Sequence, residues 1–314
     1  WLRDRPPSYV PGADIQFLER TTADFIVAIR DAAAKSHVPW LLFLCPPSPE
    51  WDAAGSHAKV QLSLVEKVIS NLRGAAGLDV VTYLECRELY PIDDEYDPTS
   101  DQLGHVPYTN GAFAGIATFV ARRLHLSLRS PIKVIVADCD NTLWDGVVGE
   151  DGIDGIRITD THRKLQQKLV DASSRGVLVC LCSKNIERDV IAVLDQRPDM
   201  VLKAEHLVGY KINWKAKSEN IRELAKELSL GFDSFLFLDD NPVEVAEVAA
   251  VCPQVLGLVV NLSESGTRID HIWPLDCTAS TDEDAKRVQS YRSNLSRSRE
   301  RENSTDFASF IESL

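Results

Sequence analysis

A net charge of −13 over 314 residues argues against a nucleic-acid surface, which needs clustered Lys and Arg, and no apolar run approaches the ~20 residues that span a bilayer. Its 44% hydrophobic and 26% charged residues are ordinary for a globular protein, and the length suits about two domains, each with its own core. The seven cysteines, at 45, 86, 139, 180, 182, 252 and 277, form no C-x-x-C pair, and no basic segment leads into an apolar one at the start; both features point to a reduced, cytoplasmic setting. The chain opens at Trp1 without Met, which reads as a start inside a larger reading frame with the first strand of an amino-terminal domain missing.

Periodicity predicts a helix over Asp14 to Lys35, then a short strand from Pro39 to Cys45 stopped by Pro46-Pro47. A helix from His57 to Arg73, an extended segment from Val80 to Leu84, a turn-rich acidic stretch from Pro91 to Asp101 and a helix from Gly111 to Leu126 follow. This αβαβα order makes residues 1–130 an α/β layer of their own, closed by Ser130-Pro131.

From Lys133 the alternation restarts. Strands are expected at Val134–Ala137, Val177–Cys182, Met200–Lys203, Ser234–Leu238 and Val255–Val260. The helices between them are placed at Thr161–Arg175, Ile186–Asp195, Ser218–Leu228 and Val243–Val251. That order predicts a doubly wound parallel sheet over residues 131–277. Cys180 and Cys182 sit in a buried strand, where cysteine serves as a small hydrophobe. The polar tail, 278–314, is expected to give a surface helix and a partly disordered end.

The chemistry collects at the strand ends. Val134-Ile135-Val136-Ala137 runs directly into Asp138-Cys139-Asp140, and two carboxylates this close repel unless a proton or a hard divalent cation such as magnesium lies between them. Ser183 follows the second strand, Asp239-Asp240 follow Phe235–Leu238, and Lys217 opens the helix upstream of that pair. A phosphoryl group needs a hydroxyl and a cation at its oxygens, which Ser183 and Lys217 would supply; a metal needs a further carboxylate, Asp239 or Asp240. Lys211 and Lys215 compete with Lys217 for the cationic role.

Asp138-x-Asp140-x-Thr142, Ser183, Lys217 and Asp239-Asp240 resemble, in order, the motifs of the haloacid dehalogenase (HAD) phosphatase superfamily. The resemblance assigns Asp138 as phosphoryl acceptor, Asp140 as general acid and base, Thr142, Ser183, Lys184, Asn185 and Lys217 as phosphate binders, and Asp138, Asp140, Asp239 and Asp240 as Mg2+ ligands. Several segments narrow the match: Asp138-Cys139-Asp140-Asn141-Thr142-Leu143-Trp144, Gly146-Val147-Val148-Gly149-Glu150-Asp151-Gly152, Leu181–Asn185, Ile212-Asn213-Trp214, Lys217–Asn220 and Asp239–Pro242. Together they resemble the FkbH-like glyceryl transferase/phosphatases of polyketide biosynthesis. Upstream, Cys45–Pro49 and Asp97–Tyr108 resemble an SGNH-hydrolase-like domain. The family implies that the glyceryl unit of 1,3-bisphosphoglycerate is dephosphorylated and loaded, through a thioester on Cys139, onto the phosphopantetheine thiol of an acyl carrier protein. His105 is the expected assisting base. Asp145, where the family commonly has Gly, would add a carboxylate near the metal.

Two physical difficulties attend Cys139. Flanking carboxylates raise a thiol pKa, and strand alternation sends residues 138 and 139 to opposite faces unless the chain turns at once after Asp138. No serine follows a first strand as an SGNH nucleophile would: Ser8 follows no strand, and Ser48 follows Pro-Pro. The amino-terminal domain is therefore expected to cover the site or dock the carrier. The spacing leaves room for a flap over about Trp144 to Thr159 and no large cap, so the site should be open to a bulky substrate. Two alternatives stand beside this reading: a small-molecule phosphatase in which Cys139 is structural, and a non-catalytic docking module of an assembly line.

Overall fold

A computed structural model describes residues 13–45, 56–128, 130–262, 269–276 and 288–293. The chain divides into two compact units, Trp1–Leu128 and Arg129–Leu314.

In the first unit, β1 (Trp40–Leu44) and β2 (Leu78–Thr82) pair in parallel. Successive residues of β2 enter different clusters, as a period of two requires. Val80 packs with Ile26 and Ala33 of α1 (Ala13–Lys35) and with Val68 and Leu72 of α2 (Ser56–Leu72). Val81 packs with Tyr83 and Cys86 of α3 (Tyr83–Leu89) and with Phe119 of α5 (Asn110–Leu128). The extended segment expected to reach Leu84 stops at Thr82, because Thr82 and Glu85 form a capping box: Glu85 Oε2 accepts from Thr82 N at 2.7 Å and Thr82 Oγ1 from Glu85 N at 3.3 Å. The acidic stretch likewise contains a helix, α4 (Pro98–Gly104), started by Asp97 accepting from the amides of Thr99 and Ser100 and ended by His105 in the left-handed region (φ 56°). Ser8 and Ser48 lie outside the described residues.

The second unit is a five-stranded parallel sheet in the order β5-β4-β3-β6-β7. Its strands are β3 (Val134–Ala137), β4 (Leu178–Ser183), β5 (Leu207–Ile212), β6 (Phe235–Asp239) and β7 (Leu256–Val259). Both faces are apolar, so the central strands read as continuous hydrophobic runs. One face, with Ile135, Ala137, Val179, Leu181, Leu236 and Leu238, is covered by α7 (Asp160–Ser174) and α8 (Glu187–Gln196). The other, with Val134, Val136, Leu178, Cys180, Cys182, Phe235 and Phe237, is covered by α9 (Lys217–Leu228) and α10 (Pro242–Val251). Cys180 and Cys182 are packing residues there.

One expected strand is wrong. Met200–Lys203 is not extended into the sheet, because Gln166 Oε1 accepts from the amides of Val201 (2.7 Å) and Leu202 (3.2 Å), taking donors that a ladder would need. The fifth strand is Leu207–Ile212 instead, joined to β4 across an irregularity at Val179/Cys180. Of the tail, residues 288–293 are helical, and Val288 packs among the α9 and α10 side chains. Among the described residues, no helix is long and apolar enough to cross a membrane.

Candidate active site

The carboxyl ends of β3, β4 and β6, with the first turn of α9, surround a pocket of about 190 Å³. Its wall includes Asp138, Ser183, Lys217, Asp239, Asp240 and Glu244. The sheet sets their spacing: one rung past the β3–β6 ladder, Asp138 N donates to Leu238 O at 2.8 Å, which holds Asp138 beside Asp239.

Lys217 is the cation of the site. Its Nζ, 4% exposed at the residue level, lies 2.9 Å from Asp138 Oδ1, hydrogen-bonds Asp239 Oδ2, and stands 5.9 Å from the centre of the Phe237 ring. Burial alone would lower its pKa, but the two carboxylates outweigh that and hold the ammonium above its usual value. The competing lysines are engaged elsewhere, Lys211 with Glu223 at 3.1 Å and Lys215 with Glu223 at 2.8 Å.

The carboxylates show the opposite imbalance. Burial pushes the Asp138 carboxyl up against the pull of Lys217, and burial with the Asp138 charge pushes Asp239 up to about 6. Asp240 is raised by burial and by Asp239. Carboxylate oxygens of Asp138, Asp239 and Asp240 all lie within 4.8 Å of one another. Three carboxylates against one ammonium leave an excess of negative charge, and Asp138 Oδ1 is buried without a well-directed hydrogen bond although Lys217 is 2.9 Å away. An all-oxygen set with an unsatisfied lone pair fits a hard divalent cation.

Asp140 does not join that cluster. Its Oδ1 accepts from Trp144 Nε1 (2.9 Å) and Val148 N (3.1 Å), and its Oδ2 from Asn185 Nδ2 (2.8 Å). The chain turns through Asn141 (φ 55°), whose Oδ1 accepts from Gly146 N at 3.0 Å, and the carboxylate of Asp140 reaches the pocket wall from this loop. The flap carries α6 (Val148–Gly155), and Asp140 caps its first amide where Val147 supplies no side-chain cap. Gly146 (φ 107°) admits the turn into it.

The remaining sequence assignments scatter. Ser183 lines the pocket. Lys184 does too, but its Nζ is paired with Glu244 Oε1 at 2.6 Å. Asn185 holds Asp140 rather than facing the pocket, and Thr142, fully buried, accepts from Asp240 N at 3.1 Å, tying the β3 loop to the β6 loop. Asp145 pairs with Arg157 and adds no carboxylate to the cluster. His105 belongs to the first unit, at the end of α4. Two partnerships go beyond the sequence assignments: Trp144 with Asp140, four residues apart within the same motif, and Glu244 with Lys184, which are distant in the chain.

Cys139 lies on the other side of the strand. Alternation continues past Asp138, so the thiol joins Ile135 and Ala137 in the apolar cluster and is fully buried, and the turn comes later, at Asn141. Burial, then the charges of Asp138 and Asp140, raise its pKa far above the ordinary thiol value. The immediate turn after Asp138 that would bring it into the pocket is absent.

The sheet order and the residues at its carboxyl edge define a HAD-type α/β fold. A solved structure of the N-terminal part of BF1531 from Bacteroides fragilis, containing a phosphatase domain and complexed with Mg, superposes with a TM-score of 0.67 at 21% identity, covering 84% of this chain and 74% of that one. A HAD family enzyme from Bacteroides thetaiotaomicron, in complex with magnesium and inorganic phosphate, matches at a TM-score of 0.35 and 12% identity over 45% of this chain and 98% of its own. The cobalt-bound deoxy-D-mannose-octulosonate 8-phosphate phosphatase of Haemophilus influenzae matches at 0.31 and 17% identity over 58% and 94%. No protein-family model and no curated protein sequence matches the chain.

Proposed function

We propose that the chain is a magnesium-dependent phosphohydrolase in which Asp138 takes the phosphoryl group. The observation that carries this reading is the meeting of Asp138, Ser183, Lys217, Asp239 and Asp240 around one pocket at the carboxyl edge of a parallel sheet. Its volume of about 190 Å³ is below the ~300 Å³ of ordinary ligand pockets, which suits a phosphoryl group with the rest of the substrate outside. Magnesium held by Asp138, Asp239 and Asp240 would supply positive charge against the phosphoryl oxygens. The fold shared with the phosphatase-containing part of BF1531, complexed with Mg, agrees.

The chain's own groups do the rest. Asp138 attacks phosphorus while Lys217 and the Ser183 hydroxyl neutralise the phosphoryl oxygens. Asp140 gives a proton to the departing oxygen and then takes one from the water that hydrolyses the aspartyl phosphate. Trp144, Val148 and Asn185 hold Asp140 in one orientation for both transfers. Phosphate release from an aryl phosphate, with and without Mg2+, tests the reading: release should require Mg2+ and vanish in Asp138→Asn. Equal release from that variant would contradict it.

A second reading extends the first. Cys139 would attack the acyl carbon of 1,3-bisphosphoglycerate and expel its acyl phosphate as inorganic phosphate; with the other phosphate hydrolysed through Asp138, the glyceryl thioester would pass to the phosphopantetheine thiol of an acyl carrier protein, freeing the Cys139 thiol. The thiol's position between Asp138 and Asp140, with Ser183 beside it, favours this; its full burial means that it must leave the apolar cluster to act. Intact-mass analysis of a carrier protein after reaction decides between the two, because only the second predicts a glyceryl increment that Cys139→Ala abolishes.

A further inference from the structure

Helix α9 presents Lys217 from its first turn, yet it begins at Ala216 without a side-chain cap. Asp138 and Asp239 hold the ammonium at its tip, and the backbone that delivers it is held by other groups. Asn213 and Asn220 face one another with reciprocal amide bonds, Asn213 Nδ2 to Asn220 Oδ1 at 3.1 Å and Asn220 Nδ2 to Asn213 Oδ1 at 3.0 Å. Asn213 Oδ1 also accepts from Lys215 N at 3.0 Å, and the Asn213 amide donates to Ser183 O at 3.0 Å. Asn220 is wholly buried, where an amide is costly unless paired in this way. On the far side, Glu247 accepts from both the amide and the hydroxyl of Ser218.

We propose that the Asn213–Asn220 pair is a brace that sets the position of Lys217 relative to Ser183, making both asparagines positioning residues for phosphoryl transfer. The chain of bonds explains the role. Asn213 is fastened to the backbone of the pocket hydroxyl and, through Asn220, to the first turn of the helix that carries the cation. Between Asn213 and the helix, the Lys215 amide is tied back to Asn213 Oδ1. Without the brace, Lys217 keeps its charge and its helix but loses its fixed distance from the phosphoryl site. This inference rests on the phosphohydrolase reading for its kinetic consequence; its structural consequence stands apart.

The test compares Asn213→Ala, which loses all three side-chain bonds, with Asn213→Asp, which keeps the two acceptor bonds, and with Asn213→Leu/Asn220→Leu, which exchanges the pair for apolar bulk. Two quantities are read well below the unfolding temperature: kcat and KM for an aryl phosphate with Mg2+, and labelling of Lys217 by acetic anhydride measured by peptide mass spectrometry. The expected result is a fall in kcat of about 10- to 100-fold in Asn213→Ala and in the double variant, with KM little changed and Asn213→Asp intermediate. Lys217, protected in the wild type, should label faster in the same order. Wild-type kcat in folded Asn213→Ala, or lost activity with Lys217 still protected, overturns the proposal. Absence of phosphatase activity in the wild type, with the labelling order preserved, refutes the phosphohydrolase reading and leaves the brace standing.

Discussion

Removing the ammonium of Lys217, as in Lys217→Met, should destabilise the second unit most when no metal is present. Lys217 is 4% exposed and serves both Asp138, 2.9 Å away, and Asp239, so its loss leaves two buried carboxylates facing each other. Breaking a buried ion pair from one side costs about 3–5 kcal/mol, and for a unit of this size that is a melting shift of roughly 6–20 °C. The pH dependence follows from the sign of the carboxylate shifts. Asp239 is already raised to about 6 in the folded protein, so between its unfolded value near 3.8 and about 6 the folded state binds more protons and stability rises as pH falls. Losing Lys217 raises these pKa values further, so the deficit of Lys217→Met should be largest above pH ~7 and shrink toward pH ~5. Added Mg2+ should shrink it as well, by replacing the missing positive charge. Differential scanning calorimetry of both proteins across this range, with EDTA and with Mg2+, measures all three effects. A deficit under about 2 °C, or one indifferent to pH and to Mg2+, would refute the charge balance assigned to the site.

Other consequences are equally direct. Asp239→Asn should weaken Mg2+ binding by tenfold or more in titration calorimetry, and wild-type affinity should fall as pH drops through about 6, where a proton competes for the same oxygens. Trp144→Phe removes the indole bond to Asp140 while keeping most of the buried ring; kcat should fall about 5- to 20-fold with KM nearly constant, and an unchanged kcat would show that Asp140 needs no such support. Cys139→Ala should cost about 1 kcal/mol of stability from the small cavity it leaves and keep phosphate release within twofold. A collapse of phosphatase activity in that variant would return the thiol to the reaction.

The strand-end residues were readable in advance because a buried parallel strand announces itself as a β-branched run, and its carboxyl end is where α/β sheets expose polar groups. Asp138, Ser183 and Asp239-Asp240 meet in one pocket for that reason, and Lys217 joins them from the first turn of α9. Side-chain partnerships were not readable. Asn185 and Thr142 carry the right chemistry for phosphate, but the Asn185 amide donates to Asp140 and the Thr142 oxygen accepts from the Asp240 amide, and both bonds join segments distant in the chain. Gly209 and Lys211 interrupt the apolar pattern of Leu207–Ile212, so the sequence does not mark it as a strand, whereas the Val201 and Leu202 amides within Met200–Lys203 are taken by Gln166. Cys139 is the instructive case: the alternation that puts Asp138 in the pocket also turns the thiol into the core, on the face that carries Ile135 and Ala137.

The most direct test of the central claim is to find the phosphoryl group on the protein. Acid quenching of the enzyme during turnover of an aryl phosphate with Mg2+, followed by peptide mass spectrometry, should locate a phosphoryl increment on Asp138 that is absent from Asp138→Asn. An increment on another residue, or steady phosphate release through Asp138→Asn, would contradict the assignment of Asp138 as the nucleophile.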